Sequence, residues 1–465
     1  MKQQEHIYIS QEFFIPKVPT RCCSSILMML PKKLLIFATF LLTSTAAAPY
    51  HNSYYSENVA PLVSSESAQI IPDSYIIVFK KHVDEVKVKY HHSCVNDYVS
   101  EEKRDLSKRG LLDDFISGIK HTFDFDNFQG YAGKFSKEVL DKIRRSDEVA
   151  YVEKDQMVYA TELQKNAPWG LARISHRSRL TFGTFNKYLF NENGGDGVTV
   201  YIIDTGVNIK HEDFGGRAVW GITVPQGDED IDGNGHGTHV AGTVAGKSFG
   251  VSKKSKIVAI KVLRSNGSGT MSDVIKGVEY AAQFHLEEKE KARKDGRVFK
   301  GSGANMSLGG GRSRTLDDAV NGAVNVGLNF AVAAGNDNRD ACDYSPAAAE
   351  NAITVGASTI EDERAWFSNY GKCVDVFGPG KDIRSAWIGS PKATNTISGT
   401  SMASPHVAGL IAYLLSLEPD SSSEFYSTLL TPKELKNKIL KLATKDKLTK
   451  IPSDTKNLLI YNNYD

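Results

Sequence analysis

The sequence predicts an α/β protein built on a parallel sheet, preceded by a smaller α+β module. Continuous apolar runs recur between residues 198 and 357, as expected for strands that are buried on both faces. Amphipathic helical patterns separate these runs, which favours parallel strands joined by crossover helices. A third observation supports the module, because residues 74–158 combine short strand-like runs with an amphipathic helix. In a parallel sheet of this kind, catalytic and ligand-binding groups collect at the carboxyl ends of the strands.

Composition excludes several classes of protein. The 465 residues carry 56 lysines and arginines against 55 aspartates and glutamates, a net charge of +1. This balance argues against nucleic-acid binding driven by bulk charge, and we expect no nucleic-acid partner. Five cysteines in so long a chain exclude a small disulfide-framework protein. The single long apolar run lies near the N-terminus, which excludes a multi-span membrane protein.

Residues 1–48 are predicted to be a signal-peptide region. A lysine pair precedes the apolar core Leu34–Leu42, and the segment ends on Ala46-x-Ala48, the order that is typical of a secretory signal. The core is too short to anchor the mature protein across a bilayer. A signal-like core helix is the alternative, and translation from Met28 or Met29 would give a more ordinary signal peptide.

The α+β module is predicted over residues 73–162, after a flexible polar linker over 49–72. The strand-like runs are Ser74–Lys80, Gly130–Gly133 and Val149–Val158. Between the last two, Ser136 can cap a helix that presents several apolar residues on one face.

The large α/β domain is predicted over residues 166–465. Its buried strands are Val198–Ile203, Ile257–Leu263, Asn329–Ala333 and Ala352–Ala357. Ser272 is predicted to cap a helix on which Val274 and Val278 share a face.

Two side chains at the first of these strands are candidates for acid–base chemistry. Asp204 follows the strand directly, where a carboxylate can orient a neighbouring imidazole, although strand termination alone would also explain it. His236 lies in the small-residue segment Gly233–Gly242, and a histidine that reaches a carboxylate and a nucleophile can act as a general base. His236 and His239 could instead hold zinc, but no H-E-x-x-H glutamate and no further His or Cys cluster accompanies them.

Two further polar residues could act on a carbonyl substrate. Ser401 precedes the apolar stretch Val407–Leu415, which predicts a buried helix. At its N-terminus a serine gains the positive end of the helix dipole and a free backbone N–H, which suits a nucleophile, while a plain N-cap is the alternative. Asn336 follows the strand at 329–333, where its amide can donate to a developing oxyanion or simply form a turn.

Taken together, these segments resemble the motifs of the subtilisin-like serine protease family. The segments are Asp204-Thr-Gly206, His236-Gly-Thr-His-Val-Ala-Gly242 and Gly399-Thr-Ser-Met-Ala-Ser-Pro405, in the Asp, His, Ser order of subtilisin. The resemblance covers residues 166–465 and points to the proteinase K branch, with the yeast vacuolar protease B (cerevisin) group within it. It implies a three-layer subtilisin-like fold and, at 73–162, a ferredoxin-like inhibitory prodomain.

The resemblance also implies roles for the four residues. Ser401 attacks the scissile carbonyl, His236 transfers the proton, Asp204 orients His236, and Asn336 holds the oxyanion with the Ser401 backbone N–H. No cofactor is required for this chemistry. A non-catalytic binding homologue is the rival function, and the presence of all four groups argues against it.

The substrate is expected to bind along three segments that the resemblance identifies. They are Gly267, Ser268 and Gly269; Ser307, Leu308 and Gly309; and Ala333, Ala334 and Gly335. The walls of the implied S1 pocket, at 305–311 and 333–335, are small and uncharged, which predicts apolar or aromatic P1 side chains. Recognition of the substrate main chain predicts broad specificity. The acidic run Asp228–Asp232 predicts a solvated loop, and attraction of basic substrate groups is the alternative.

Two stabilising features are implied as well. The resemblance implies a disulfide between Cys342 and Cys373, with two free thiols as the alternative. It also implies structural calcium at the Asp375 carboxylate, with the carbonyls of Glu350 and Ala352 as backbone ligands. An ion-paired surface aspartate is the alternative to that calcium site.

The resulting functional prediction is a secretory-pathway serine endopeptidase that is made as an autoprocessed zymogen. Its partners are protein and peptide substrates and its own prodomain, and the mature form is expected to be a monomer without a membrane span. Its expected destination is the vacuole lumen or the extracellular space.

Overall fold

The computed structural model describes residues 59–64, 70–81, 83–108, 118–125, 128–157, 161–419 and 429–464. The chain divides into two compact units, Met1–Gln156 and Met157–Asp465. The predicted signal-peptide region, residues 1–48, lies outside the described residues, as does the first part of the predicted linker.

The N-terminal unit is a five-stranded sheet with two helices. Its strands are β1 Leu62–Val63, β2 Ile70–Phe79, β3 Gly118–Phe125, β4 Phe128–Lys134 and β5 Val149–Gln156, and its helices are α1 Glu85–Lys108 and α2 Lys137–Arg144. The strands lie in the order β1-β5-β2-β4-β3. The chain order β2-α1-β3-β4-α2-β5 is the ferredoxin-like arrangement, which confirms the predicted fold of this unit. Ser136 caps α2 as predicted, because its side chain accepts from the backbone N–H of Val139 at 3.2 Å.

This sheet begins earlier in the chain than the linker prediction allows. Leu62 and Val63 pair in parallel with Val152 and Glu153 of β5, and β2 begins at Ile70. The predicted linker over 49–72 is therefore partly sheet, because Leu62 packs against the apolar core of the unit.

The C-terminal unit is built on a nine-stranded sheet with the order β19-β20-β16-β15-β13-β11-β8-β10-β9. These strands are β8 Thr199–Asp204, β9 Ala218–Thr223, β10 Lys256–Lys261, β11 Ser302–Met306, β13 Asn329–Ala333, β15 Ile353–Ser358, β16 Val376–Pro379, β19 Thr444–Lys445 and β20 Leu458–Leu459. All pairs are parallel except the edge pair β19–β20. The sheet is thus mixed, with its parallel part as predicted.

Three short antiparallel pairs complete the strands of this unit. They are β6 Thr161–Lys165 with β7 Lys187–Asn191, β12 Gly310–Gly311 with β14 Tyr344–Ser345, and β17 Ile383–Ala386 with β18 Thr394–Ile397. Residues 161–165 pair within the C-terminal unit, so this unit begins before the predicted boundary at 166.

Helices cover both faces of the sheet, which confirms the three-layer architecture. They are α3 Trp169–Ile174, α4 His236–Ala245, α5 Met271–Lys294, α6 Arg314–Asn325, α7 Thr400–Leu417 and α8 Pro432–Leu442. Alternate residues of β8 enter two different cores: Val200 and Ile202 pack with α4 and α7, and Tyr201 and Ile203 pack with α5 and α6. Burial of both strand faces explains the continuous apolar runs in the sequence.

One helix start differs from the prediction. Thr270, and not Ser272, caps α5, because its side chain accepts from the N–H of Asp273 at 3.1 Å. Helix α7 begins at Thr400, which places Ser401 at its N-terminus as predicted, and Pro405 lies within it. Among the described residues, α7 alone is long and apolar enough to cross a membrane, and 89% of the tested window is buried inside the fold.

His91 is a buried titratable group in the N-terminal unit. Its ring nitrogens contact the Ser146 hydroxyl at 3.0 Å and the Tyr131 hydroxyl at 2.8 Å. Burial lowers the pKa of His91 to about 4, and nearby Glu148 only partly offsets this effect. Burial also lowers the pKa of the adjacent His92.

We expect acid to destabilise the N-terminal unit through His91. A pKa that is lower in the folded than in the unfolded state means that the unfolded chain binds more protons, so stability is lost as the pH falls below 6.5 toward 4. At about pH 5 the free energy of unfolding of this unit should be lower by about 2 kcal/mol, which raises its unfolding equilibrium constant roughly 30-fold. Hydrogen exchange of β4 and β5, corrected for intrinsic rates, measures it in a full-length Ser401→Ala chain that lacks the predicted nucleophile. His91→Gln should remove most of the decline; an undiminished decline in that variant would contradict this role of His91.

Candidate active site

Asp204 and His236 meet at the carboxyl edge of the central strand β8. Asp204 ends β8 and is fully buried. Its Oδ1 atom accepts from His236 Nδ1 at 2.7 Å and from the Thr205 backbone N–H at 2.7 Å. Oδ2 is buried without a hydrogen-bond partner. The carboxylate therefore holds the imidazole through one short hydrogen bond and fixes the proton on Nδ1.

A glycine allows the start of helix α4 to lie close to Asp204. His236 is the first residue of α4, and Gly237 follows it. A Cβ atom on Gly237 would lie 2.1 Å from the carbonyl oxygen of Gly206 and 3.2 Å from Asp204. Because real Cβ atoms cannot come so close to backbone, only glycine lets the helix start against the Asp204 loop.

The electrostatic environment favours the protonated form of His236. Burial alone lowers the pKa of His236, but the charge of Asp204 and their hydrogen bond act in the opposite direction, and Asp232 adds to them. The net effect raises the pKa of His236 above 6.5. His236 is thus a stronger base than a free imidazole.

Asp232 organises the loop that carries His236. Its Oδ1 accepts from Thr205 Oγ1 at 2.9 Å and from the backbone N–H groups of Asn234 and Gly235 at 3.1 and 2.8 Å. Its Oδ2 accepts from the backbone N–H and the hydroxyl of Thr238 at 3.0 and 2.6 Å. The prediction of a solvated loop over Asp228–Asp232 is wrong for Asp232, which is 8% exposed.

Asp228 also departs from the solvated-loop prediction. Its carboxylate lies 3.4 Å from the buried ammonium of Lys261, and its side chain is 16% exposed. A sequence signal for Asp232 exists in retrospect, because an aspartate two residues before Asn-Gly is typical of a side chain that caps a turn.

Ser401 lies near the start of α7, and its side chain is turned toward β11. Its hydroxyl donates to the carbonyl oxygen of Ser307 at 3.0 Å, and the Ser307 hydroxyl donates to the Ser401 carbonyl at 2.7 Å. The structure shows no hydrogen bond between Ser401 and His236, both of which it describes. It therefore brings Asp204 and His236 together, and holds Ser401 in a different hydrogen bond.

Asn336 presents its amide nitrogen beside Ser401. Its Oδ1 accepts from the backbone N–H of Thr400 at 2.8 Å and from the Thr400 hydroxyl at 3.0 Å. A Cβ atom on Gly399 would lie 3.6 Å from both Asn336 Nδ2 and the Ser401 backbone nitrogen, and 3.7 Å from Asn336 Oδ1. The Asn336 amide and the Ser401 backbone nitrogen thus both border the space beside Gly399.

Two adjoining grooves contain the segments predicted to bind substrate. The first, about 470 Å³, is lined by His236, Gly267–Gly269 and Ser307–Gly310. The second, about 280 Å³, is lined by Leu308–Gly311, Ala333–Asp337 and Ser401. Three residues that no sequence motif indicates also line the second groove: Tyr344, Ser345 and Ala347. The first two are brought there by the β12–β14 pairing.

The zinc alternative is not supported. His239 is fully buried, and its Nε2 atom bonds the Ile383 carbonyl at 2.9 Å. Burial lowers the pKa of His239 to about 4. Across the described part of the chain, no group of three His, Cys, Asp or Glu side chains is arranged to hold a metal ion.

The predicted disulfide between Cys342 and Cys373 is present, with Cα atoms 5.3 Å apart. It joins the segment that leads into β14 to the segment that leads into β16. The alternative of two free thiols at these positions is therefore wrong.

The residues predicted for calcium do not fit a calcium ion in this chain. The two carboxylate oxygens of Asp375 lie 2.7 Å from Lys436 Nζ and 3.0 Å from Lys456 Nζ. Lys436 Nζ also donates to the carbonyl oxygens of Glu350 and Ala352, at 3.0 and 2.6 Å. An ammonium group thus contacts all three expected ligands, as in the ion-pair alternative.

Comparisons with known proteins fit this geometry. Residues 195–457 match the model of the Subtilase family, and residues 74–161 match that of Peptidase inhibitor I9. The chain is a member of the subtilase family. It is a serine endopeptidase made as a zymogen with an I9 inhibitor segment, and subtilases need no cofactor for catalysis.

Individual relatives cover nearly the whole subtilase chain. It is 61% identical over 414 residues to the subtilisin-like serine protease Pen c 2 of Penicillium citrinum, covering 87% of this chain and 90% of the relative. It is 59% identical to alkaline protease 2 of Aspergillus fumigatus, covering 87% and 83%. A crystal structure of a cold adapted subtilisin-like serine proteinase is 45% identical with a TM-score of 0.57, covering 65% of this chain and all of that one.

We expect the buried carboxylate of Asp232 to be required for full activity of this subtilase. In Asp232→Asn one carboxylate oxygen becomes an amide NH₂, which cannot accept the hydrogen bonds that Asp232 accepts. The loop that carries His236 should therefore shift. A displacement of about 1 Å at a catalytic group can reduce kcat/KM about 100-fold, and we expect a loss of roughly 10- to 100-fold in peptide hydrolysis. Asp230→Asn is the matched control, because Asp230 is exposed in the same acidic run. Equal activity of the two variants would contradict the positioning role of Asp232.

Proposed function

We propose that Asp204, His236 and Ser401 form the catalytic triad of this subtilase and that Asn336 completes its oxyanion site. The observation that carries this proposal is the 2.7 Å bond between Asp204 Oδ1 and His236 Nδ1. Because Nδ1 carries the proton in that bond, Nε2 of the neutral ring is left as the basic atom.

The proposed reaction begins when the Ser401 hydroxyl turns from the Ser307 carbonyl to His236 Nε2. As Oγ bonds to the scissile carbonyl carbon, its proton moves to Nε2 and the carbonyl electrons move onto oxygen. The oxyanion is stabilised by Asn336 Nδ2 and the Ser401 backbone N–H. The pairing of Asn336 Oδ1 with Thr400 supports this role, because it leaves the amide nitrogen as the donor that faces the groove.

Collapse of the tetrahedral intermediate breaks the C–N bond, and His236 gives its proton to the leaving amine. A water molecule then attacks the acyl-enzyme, with His236 again as general base, and releases the acid product and Ser401. Asp204 stabilises the imidazolium in both steps and is not itself protonated. The proposal contains no metal step.

We propose that residues 1–48 are a signal region and that a linker precedes the first strand at Leu62. The inhibitory prodomain follows, and the catalytic domain begins with the strand at Thr161. The signal region would direct the chain into the secretory pathway, and its destination would be the vacuole lumen or the extracellular space. We propose that the mature enzyme acts as a monomer on protein and peptide substrates after cutting itself near 160–166.

Removal of the nucleophile should stop this processing. We expect the Ser401→Ala chain to accumulate as the uncut proform, whereas the parent gives a product of about 300 residues. Ser398→Ala is the matched control, because Ser398 is an exposed serine three residues before Ser401. An organophosphonate should label the processed parent on Ser401, as read by peptide mass spectrometry. Processing of Ser401→Ala in isolation, or no label on Ser401, would contradict the proposal and favour a non-catalytic homologue.

Apolar and aromatic P1 residues are the proposed preference of the second groove. Small side chains and backbone line most of it, and its acidic residue Asp337 is exposed at the rim. Backbone at 267–269 and 307–309 would bind an extended substrate by strand addition, which gives broad specificity.

We expect peptides with Phe or Leu at P1 to be cleaved with a kcat/KM at least about 10-fold above that of the Arg peptide, because one or two methylene-sized apolar contacts contribute that much. The peptides should share all other residues and the same leaving group. A higher kcat/KM for Arg would contradict the proposed pocket.

A further inference from the structure

Lys436 is positioned as a bound cation would be. It lies on α8, its side chain is 18% exposed, and its ammonium contacts three oxygen atoms from elsewhere in the chain. These are Asp375 Oδ2 at 2.7 Å, the Ala352 carbonyl at 2.6 Å and the Glu350 carbonyl at 3.0 Å. An ammonium has three N–H donors, so each donor has one oxygen.

Two ammonium groups already neutralise the negative charge of Asp375 without a metal ion. Lys456 Nζ lies 3.0 Å from the other carboxylate oxygen, and the Thr354 backbone N–H donates to Oδ2 at 3.2 Å. A calcium ion binds oxygens at about 2.3–2.6 Å, so an ion on the same three oxygens would overlap the Lys436 ammonium. The carboxylate would also face two lysines and a divalent ion.

This cluster, the Lys436 cage, is connected to the substrate groove. Glu350 and Ala352 belong to the segment that runs from Ser345 to β15. The near end of that segment lines the groove beside Ser401 at Ser345 and Ala347. The Thr354 hydroxyl donates to the Ala347 carbonyl at 2.8 Å, so the part held by Lys436 and the part that lines the groove share a hydrogen-bonded frame.

We propose that Lys436 is a tethered cation that takes the place of a structural metal ion at Asp375. The ammonium fixes the 345–352 segment from within the chain, so the stability of this wall of the groove does not depend on free calcium. The Lys436 cage accounts for the same oxygens that suggest calcium from the sequence, and it requires no ion to be taken up during folding.

The test is thermal unfolding of the full-length Ser401→Ala chain, followed by tryptophan fluorescence in EDTA and in millimolar CaCl₂. All four tryptophans lie after residue 157, so the signal reports the C-terminal unit. For each chain, Tm in CaCl₂ is compared with Tm in EDTA. The part of this calcium-induced shift that is absent from the Asp375→Asn chain is assigned to the Asp375 site. With Lys436 present we expect this shift to be below about 1 °C. Lys436→Met should lower Tm in EDTA by about 5 °C, and calcium should then restore at least half of the loss.

Lys441→Met is the matched control, because Lys441 is exposed on the same helix, and it should behave as the background chain does. A calcium shift in the background chain that Asp375→Asn removes would overturn the proposal, and this measurement does not depend on how well Lys436→Met folds. A Lys436→Met chain as stable as Lys441→Met would also overturn it. So would a destabilised Lys436→Met chain without a calcium response, because Lys436 would then be an ion pair and not a substitute for a metal ion.

Discussion

The hydrogen bond between Asp204 and His236 is the interaction on which the site depends. It requires a carboxylate that is buried at the end of a central strand, a position that the flanking strands β10 and β11 provide. It also requires α4 to start against that strand, which Gly237 permits. Asp232 then ties the loop before α4 to Thr205, so that both partners of the hydrogen bond belong to one connected network.

The rest of the groove is assembled around this bond by long-range contacts. Helix α7 is almost wholly buried against the sheet, which sets the position of Ser401 and of the Ser401 backbone nitrogen. Thr400 on the same helix orients Asn336 from the end of β13. The disulfide and the Lys436 cage both act on the segments around β14 and β15, on the far wall of the groove. Packing and polar contacts therefore fix three separate parts of the chain at one edge of the sheet.

The fold, and the segments that bring Asp204 and His236 together, could be predicted from the sequence because their signals are local. Buried strands such as Val198–Ile203 appear as continuous apolar runs, and Ser136 is followed at once by its helix. The motif segments around Asp204, His236 and Ser401 are each a few residues long. Their resemblance to one family suggests the common site that we propose, which no single motif could indicate.

The features that could not be predicted from the sequence depend on contacts between residues that are distant along the chain. Lys436 donates a hydrogen bond to the Ala352 carbonyl, 84 residues away in the chain. No sequence pattern around either residue predicts this contact. Strand β1 has two residues and forms because β5 offers a free edge beside it. The turn signal at Asp232 is local, but the acidic run does not show the hydrogen bonds that Asp232 accepts from Thr205 and Thr238.

The pKa of His236 reports whether the hydrogen bond to Asp204 forms in solution. It can be followed by ¹⁵N NMR of imidazole-labelled Ser401→Ala chain, with the resonances assigned by comparison with a His236→Gln chain. We expect a pKa of His236 above 6.5 that falls when Asp204 is replaced by Asn. A pKa at or below 6.5 that does not respond to Asp204→Asn would show that the two side chains are not joined in solution.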